Sequence, residues 1–167
     1  MRDAVSNVCN DLMSSVLPLL IPTANNLSKL EPCPDCYKLN PNATESFVLR
    51  KYLFFGYFLG WSLRNMGALG IDIVPSFWNR LCGGPTYVYT LEDVEAMDIY
   101  RHKELIEIKK AAEEMEAEVF DSVYGDYVFE GNFDGQGDIE LFPGGKEKKL
   151  TKENVNEYLK LWLEKYT

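Results

Sequence analysis

The stretch Phe54-Phe55-Gly56-Tyr57-Phe58-Leu59-Gly60-Trp61-Ser62-Leu63-Arg64 does most to determine the fold of this 167-residue sequence. It lies within residues 45–66, where apolar side chains fall on nearly all sides of a helix. A helix of that kind is buried in the middle of a domain, and we predict one here. Gly56 and Gly60 lie four residues apart on one face, where we expect them to let a second helix or strand approach closely.

Local signals predict where other helices begin. Pro75 falls in the first turn of a short helix predicted over residues 71–81. Thr90, with Asp93 three residues further on, resembles a capping box. A charged helix is predicted over residues 100–119, and Thr151 is predicted to cap a last helix. The last helix carries an apolar stripe that consists of Val155, Tyr158, Leu159 and Trp162.

Two short segments have the character of β-strands. Residues 127–129 and 139–141 flank a glycine-rich turn at residues 131–137. The proline-rich segment 21–41 is interpreted as a long ordered loop or short strands. The sequence therefore predicts a mainly α (α+β) fold with short β-strands.

Charge is unevenly distributed along the chain. The net charge is −9, which speaks against nucleic acid or an anionic membrane as the main partner. Residues 92–140 hold sixteen acidic and four basic residues, whereas residues 1–90 hold six acidic and seven basic ones. The longest apolar run, residues 52–63, is well short of the ~20 residues that a membrane span needs.

The sequence shows no catalytic or metal-binding pattern. Cys33-Pro34-Asp35-Cys36 is a CxxC, but a structural zinc site needs four ligands, and two isolated cysteines and His102 are the other candidates. We interpret the pair as loop thiols in a reducing compartment, cytoplasmic or nuclear. The single histidine, His102, is expected to be a solvated side chain and leaves little for a nucleophilic relay. No metal and no cofactor are predicted.

Several stretches, in the same order, resemble the N-terminal lobe of HECT-type ubiquitin ligases. Residues 54–64 are similar to that family's central helix, F-x-G-x-x-x-G-x-A-(hydrophobic)-R. Residues 75–81 resemble the following helix, and residues 89–93 resemble its L-T-x-x-D-L segment. Residues 139–158, with Pro-Gly-Gly in the middle, resemble its L-x-P-G-G … V-T-N-E-N-(x)-x-E-Y/F run.

The opening of the chain resembles the large HERC subgroup of this family. Residues 20–26 are similar to the subgroup's LFIPTPN, and residues 39–41 are similar to the LNP that precedes the central helix. The resemblance covers nearly the whole chain.

The resemblance implies a lobe of two subdomains. Residues 1–92 and 146–167 would belong to the larger helical subdomain. Residues 93–145 would form a smaller acidic subdomain, with short β-strands, that docks a ubiquitin-conjugating enzyme. Ile99 and Tyr158 fall on groove positions, although ordinary core packing is the alternative for both. Lys103 falls on an apolar position and does not match, so either the register slips and Leu105 or Ile106 fills that position, or the groove is weaker. The candidate groove residues are therefore Ile99, Tyr100, Lys103, Leu105, Ile106 and Tyr158.

The resemblance places no catalytic residue in this chain. The family's catalytic cysteine lies in a C-terminal lobe, so we expect a fragment of a ubiquitin transferase that is inactive alone. In the intact protein, ubiquitin would pass from the conjugating enzyme to that cysteine. The expected partners are the conjugating enzyme, ubiquitin, and a protein substrate bound through regions outside this chain. The alternatives are a non-catalytic protein-binding scaffold derived from such a lobe, and a helical interaction domain unrelated to ubiquitin.

Overall fold

Helices alternate with two pairs of short strands in a computed structural model that describes residues 2–14, 17, 19–43, 45–65, 69–133 and 137–166. Each strand pair is a two-stranded sheet. The elements are, in order, α1 (Arg2–Leu12), β1 (Leu20–Pro22), α2 (Ala24–Ser28), β2 (Tyr37–Leu39), α3 (Ser46–Arg64), α4 (Pro75–Gly83), α5 (Leu91–Glu95), α6 (Ile99–Glu114), α7 (Ala117–Tyr124), β3 (Glu130–Asn132), β4 (Asp138–Glu140) and α8 (Val155–Tyr166). The predicted mainly α fold with short β-strands is confirmed.

The chain forms two compact units, Met1–Trp78 and Asn79–Thr167, and the boundary falls within α4. All of residues 79–167 therefore share one unit, including the acidic segment and the last helix. The subdomains implied by the resemblance, residues 1–92 with 146–167 and residues 93–145, stay a prediction.

The proline-rich segment of the first unit forms a strand pair. β1 pairs with β2 in antiparallel fashion, with Leu20 opposite Leu39. Thr23 caps α2 by accepting a hydrogen bond from the amide of Asn26 at 3.1 Å. The hydroxyl of Tyr52, on α3, donates to the carbonyl oxygen of Leu19 at 2.8 Å. The strand pair is thereby fixed to the central helix.

The central helix, α3, is buried on one face only. It ends at Arg64; the last residue of the predicted segment, Met66, lies outside the described residues. Its buried side chains are those of Phe55, Leu59 and Ser62. The large apolar side chains exposed on it are those of Phe47, Leu49, Leu53, Phe54, Tyr57, Trp61 and Leu63. The prediction of burial on all sides is wrong, because the described residues supply packing partners for one face.

The glycines of α3 face open space. A Cβ atom added at Gly56 or Gly60 would meet nothing within 4 Å. The predicted close approach of a second helix or strand is therefore not seen among the residues that the structure describes.

In the second unit, the N-terminus of α5 is capped. Thr90 and Asp93 form the predicted capping box. The carboxylate of Asp93, which is buried, also accepts hydrogen bonds from the Tyr87 hydroxyl at 2.9 and 2.8 Å and from the Thr90 amide at 2.8 Å. These bonds satisfy a carboxylate that would otherwise be costly to bury.

Aromatic rings form the core of the second unit around α8. The ring of Trp162 lies 4.9 Å from that of Phe133 and 4.8 Å from that of Tyr166. Phe129 packs edge-on against Tyr158, with ring centroids 5.4 Å apart. The four residues of the predicted apolar stripe, Val155, Tyr158, Leu159 and Trp162, are all buried. The helix itself starts at Val155, four residues after the predicted cap.

Two predicted elements of this unit differ in their bounds. The strands are Glu130–Asn132 and Asp138–Glu140 instead of residues 127–129 and 139–141. Residues 134–136 of the predicted turn lie outside the described residues. The helix predicted over residues 100–119 is broken at Met115, whose backbone is extended, and α7 follows.

Candidate functional site

The start of α6 presents two of the predicted groove residues. Asp98 caps the helix, and its side chain accepts hydrogen bonds from the amides of Tyr100 at 3.1 Å and Arg101 at 3.0 Å. Ile99 is the first residue of the helix and is half-buried, while Tyr100 is 67% exposed. The capped start holds both residues at the surface in a defined orientation.

The candidate residues in the middle of α6 differ in exposure. Successive helical residues point about 100° apart, so Ile99, Lys103 and Ile106 fall on one stripe. Lys103 is exposed and Ile106 is half-buried. Leu105 is 1% exposed and faces the interior. We call Ile99, Lys103 and Ile106 the α6 stripe; its central member carries a charge where the resemblance implies an apolar residue.

Tyr158 belongs to the core. It is 4% exposed, and its ring packs on Phe129. Burial raises the pKa of its phenol well above the ordinary range, with a further contribution from the nearby carboxylate of Glu104. Tyr158 and Leu105 are therefore core residues, whereas Ile99, Tyr100, Lys103 and Ile106 are accessible to a partner.

A groove of about 830 Å³ opens beside α6 and was not predicted from the sequence. Residues 85–92 line it. Ile106 and Lys109 of α6 and Leu159 and Lys160 of α8 are further lining residues. Of the predicted residues, only Ile106 lines this groove, which we call the 85–92 groove. Its volume is in the range of sites that bind small molecules or short peptides.

Cys36 does not have the environment of a nucleophile. Cys9 is buried, Cys33 and Cys36 are half-buried, and Cys82 is exposed. Burial, a hydrogen bond with Cys33 and neighbouring carboxylates raise the pKa of Cys36 to about 12. A reactive thiol requires a lowered pKa, so Cys36 has the opposite environment.

His102 differs from its sequence-based prediction. Its side chain is 17% exposed, so it is not a solvated side chain, and its Nδ1 lies 3.9 Å from a carboxylate oxygen of Glu95. Within the described ranges, no three His, Cys, Asp or Glu side chains are placed to hold a metal ion. No described helix combines the length and apolar character needed to cross a membrane.

Comparison with known proteins gives matches over nearly the whole chain. A model of the HECT-domain (ubiquitin-transferase) family matches residues 6–167. The E3 ubiquitin-protein ligase HERC2 of Mus musculus and that of Homo sapiens are each 26% identical to this chain over 159 residues. The aligned region covers 95% of this chain and 3% of each relative, so the chain spans a small part of their length.

Proposed function

The chain belongs to the HECT-domain (ubiquitin-transferase) family, and from this premise we propose that it is a segment of a ubiquitin ligase that docks a ubiquitin-conjugating enzyme. The observation that carries the proposal is the capped start of α6. It presents Tyr100 to solvent beside half-buried Ile99, at the position that the resemblance implies for the docking groove. An exposed tyrosine next to an apolar side chain has the composition of a protein–protein anchor point.

The docking surface that we propose consists of the α6 stripe and Tyr100. An aromatic or aliphatic side chain of the partner would pack against Ile99 and Ile106, which lie about 10 Å apart along the helix. Lys103 stands between them and limits the apolar area. We therefore expect weak, rapidly reversible docking.

The role of this segment in the reaction would be proximity. In the whole protein, the conjugating enzyme would carry ubiquitin as a thioester. A cysteine thiolate of another lobe would attack the thioester carbonyl and release the enzyme's thiolate. Ubiquitin would then pass to a substrate lysine. Docking raises the effective concentration of the thioester near the attacking thiolate, and this needs no acid or base from this chain.

The acidic segment supports the proposal through electrostatic steering. Glu113 and Glu114 at the end of α6 and Glu116 and Glu118 after it are exposed. A field of one sign accelerates the encounter with an oppositely charged partner more than it slows dissociation. We therefore propose a partner with a basic docking face.

Affinity measurements with two surface variants test the proposal. Ile99→Asp removes the apolar contact and leaves the helix start intact, because an acidic residue is favoured in the first turn. Tyr100→Ala removes an exposed ring. Each variant is expected to weaken the binding of a ubiquitin-conjugating enzyme about tenfold, a loss of ~1.4 kcal/mol. Calorimetric titration against a panel of these enzymes gives the readout.

The matched control is Tyr57→Ala, which removes a ring that is 72% exposed on α3. It is expected to bind as the unsubstituted chain does. Loss of binding in the Tyr57 variant, with unchanged binding in both α6 variants, would place the docking surface elsewhere.

A further inference from the structure

Within the segment that lines the 85–92 groove, residues 87–90 lie between a short 3-10 helix that ends at Thr86 and helix α5. Tyr87 has φ −64° and ψ 126°, and Thr90 has φ −121° and ψ 170°. Val88, between them, is 78% exposed. Among the described residues, the backbone amides and carbonyls of Val88 and Tyr89 form no hydrogen bond. This segment therefore has the character of an unpaired strand edge.

Hydrogen bonds hold residues 87–90 at both ends of the segment. At its start, Arg80 donates hydrogen bonds to the carbonyl oxygens of Gly84 at 2.9 Å and Tyr87 at 3.3 Å. On the other side, the Tyr87 hydroxyl and the Thr90 amide both donate to buried Asp93. A strand edge that is already fixed loses little conformational entropy when a second strand pairs with it.

Apolar residues of α6 and α8 also line the groove, namely Ile106, Leu159 and Leu163, and Leu159 is buried. Alternate side chains of an added strand would contact these residues, since successive side chains of a strand point to opposite sides. Apolar residues at every second position of the bound segment would fit.

The charge of the groove differs from that of the chain. The chain carries −9, yet Arg80, Lys109 and Lys160 all line this groove. Two carboxylates, those of Glu92 and Glu164, also line it, and Lys160 lies 3.9 Å from Glu164. A hydrogen bond from Thr90 and, more weakly, the charge of Lys109 lower the pKa of the Glu92 carboxyl group. Three cations against two carboxylates leave the lining net positive, which favours an acidic partner.

We propose that the 85–92 groove binds an extended peptide segment that pairs with the backbone of Val88 and Tyr89 and alternates apolar with acidic residues. Recognition of this kind combines main-chain hydrogen bonds with pockets for alternate side chains. The inference does not rest on the proposed docking of a conjugating enzyme, because the α6 stripe and the groove share only Ile106. Pairing of a strand with a second copy of this chain, or binding of a basic segment, would be a different outcome.

Peptide titrations monitored by NMR on the 167-residue chain test this inference. The probes are three pools of eight-residue peptides with Leu, Val or Ile at alternate positions. The intervening residues are Asp or Glu in the first pool and Lys or Arg in the second. The third pool repeats the first with N-methylated backbone amides, which cannot donate to the strand edge.

The acidic pool is expected to shift the amide signals of Val88 and Tyr89. Lys109→Glu should weaken this binding about fivefold. The matched control, Lys110→Glu, makes the same charge change at the next, also exposed, residue and should bind as before. N-methylation should weaken binding about tenfold, and Ile99→Asp should leave it unchanged.

Three results would overturn the proposal. The first is that no pool shifts the signals of the groove. The second is that the basic or N-methylated pool binds as well as the acidic one. The third is that both lysine variants have the same effect, because the binding would then depend on net charge and not on this groove.

Discussion

Replacement of Tyr158 tests whether this residue belongs to the core, as the structure shows, or to an accessible groove. The resemblance makes Tyr158 a candidate groove residue, and removal of a groove residue would lower affinity for a conjugating enzyme without unfolding the domain. The side chain is, however, 4% exposed, and its ring centroid lies 5.4 Å from that of Phe129. Removing a buried aromatic ring costs ~3–5 kcal/mol, a large share of the ~5–15 kcal/mol that stabilises a typical domain. We expect the melting temperature to fall by more than about 10 °C.

Tyr158→Phe is the matched control, because it keeps the ring and removes only the hydroxyl. It should unfold within ~1 kcal/mol of the original chain in urea, monitored by circular dichroism. If Tyr158→Ala instead unfolds like the original chain, the ring is not part of the core. The assignment of Tyr158 to the core would then be refuted.

Three further predictions follow from glycine packing, alkaline titration and surface charge. Gly145→Ala should lower the free energy of unfolding by ~1–3 kcal/mol, because its Cβ would lie 2.4 Å from the carbonyl oxygen of Phe129. Gly60→Ala should raise it by ~0.5–1 kcal/mol, because an added methyl group meets nothing within 4 Å in a helix interior. In urea unfolding, a rise for Gly145→Ala or a fall for Gly60→Ala would contradict the corresponding prediction. Since burial raises the pKa of Tyr158, the folded chain keeps a proton that the unfolded chain loses above pH ~10, so stability should fall as pH rises from there. That fall should be smaller in Tyr158→Phe, and equal pH profiles would refute this. Stopped-flow association with a conjugating enzyme should slow as salt rises above ~0.15 M, and it should slow several-fold, with little change in dissociation, when four glutamates are neutralised together. Those residues are Glu113, Glu114, Glu116 and Glu118; indifference to both changes would make the acidic segment a solubility feature.

Local signals in the sequence were sufficient for much of the fold. The Thr90–Asp93 capping box forms as predicted, because its hydrogen bonds join residues three apart in the chain. The apolar stripe of α8 is buried as predicted, because its spacing matches the period of a helix. Such features depend on neighbours along the chain and not on the packing of distant segments.

Burial of individual faces could not be predicted in the same way. The apolar pattern of α3 indicates a helix, but it does not say which neighbours cover each face, and Tyr57 and Trp61 are exposed. The sequence identified Thr90 and Asp93 but gave no sign that the Tyr87 hydroxyl would complete the arrangement. The 85–92 groove was missed because it needs residues of α6 and α8 brought together from about fifty positions apart in the chain.

The candidate site was only partly accessible to sequence reasoning. A motif match shows which residue of this chain corresponds to a family position. It does not show whether the side chain of that residue is exposed or buried. It placed Tyr100 and Tyr158 in one groove, although one ring is exposed and the other is buried. The accessible part is the α6 stripe with Tyr100, and the docking role of that surface stays a prediction.

NMR mapping of the residues that a ubiquitin-conjugating enzyme contacts on this chain tests whether the start of α6 is the docking surface. The amide signals of α6 between Ile99 and Ile106 should shift on titration, and Tyr100→Ala should reduce those shifts while Tyr57→Ala does not. A footprint centred on the start of α6 is expected. If every enzyme in the panel leaves these signals unchanged at concentrations of about 1 mM, or shifts only signals outside α6, the proposed docking surface is wrong.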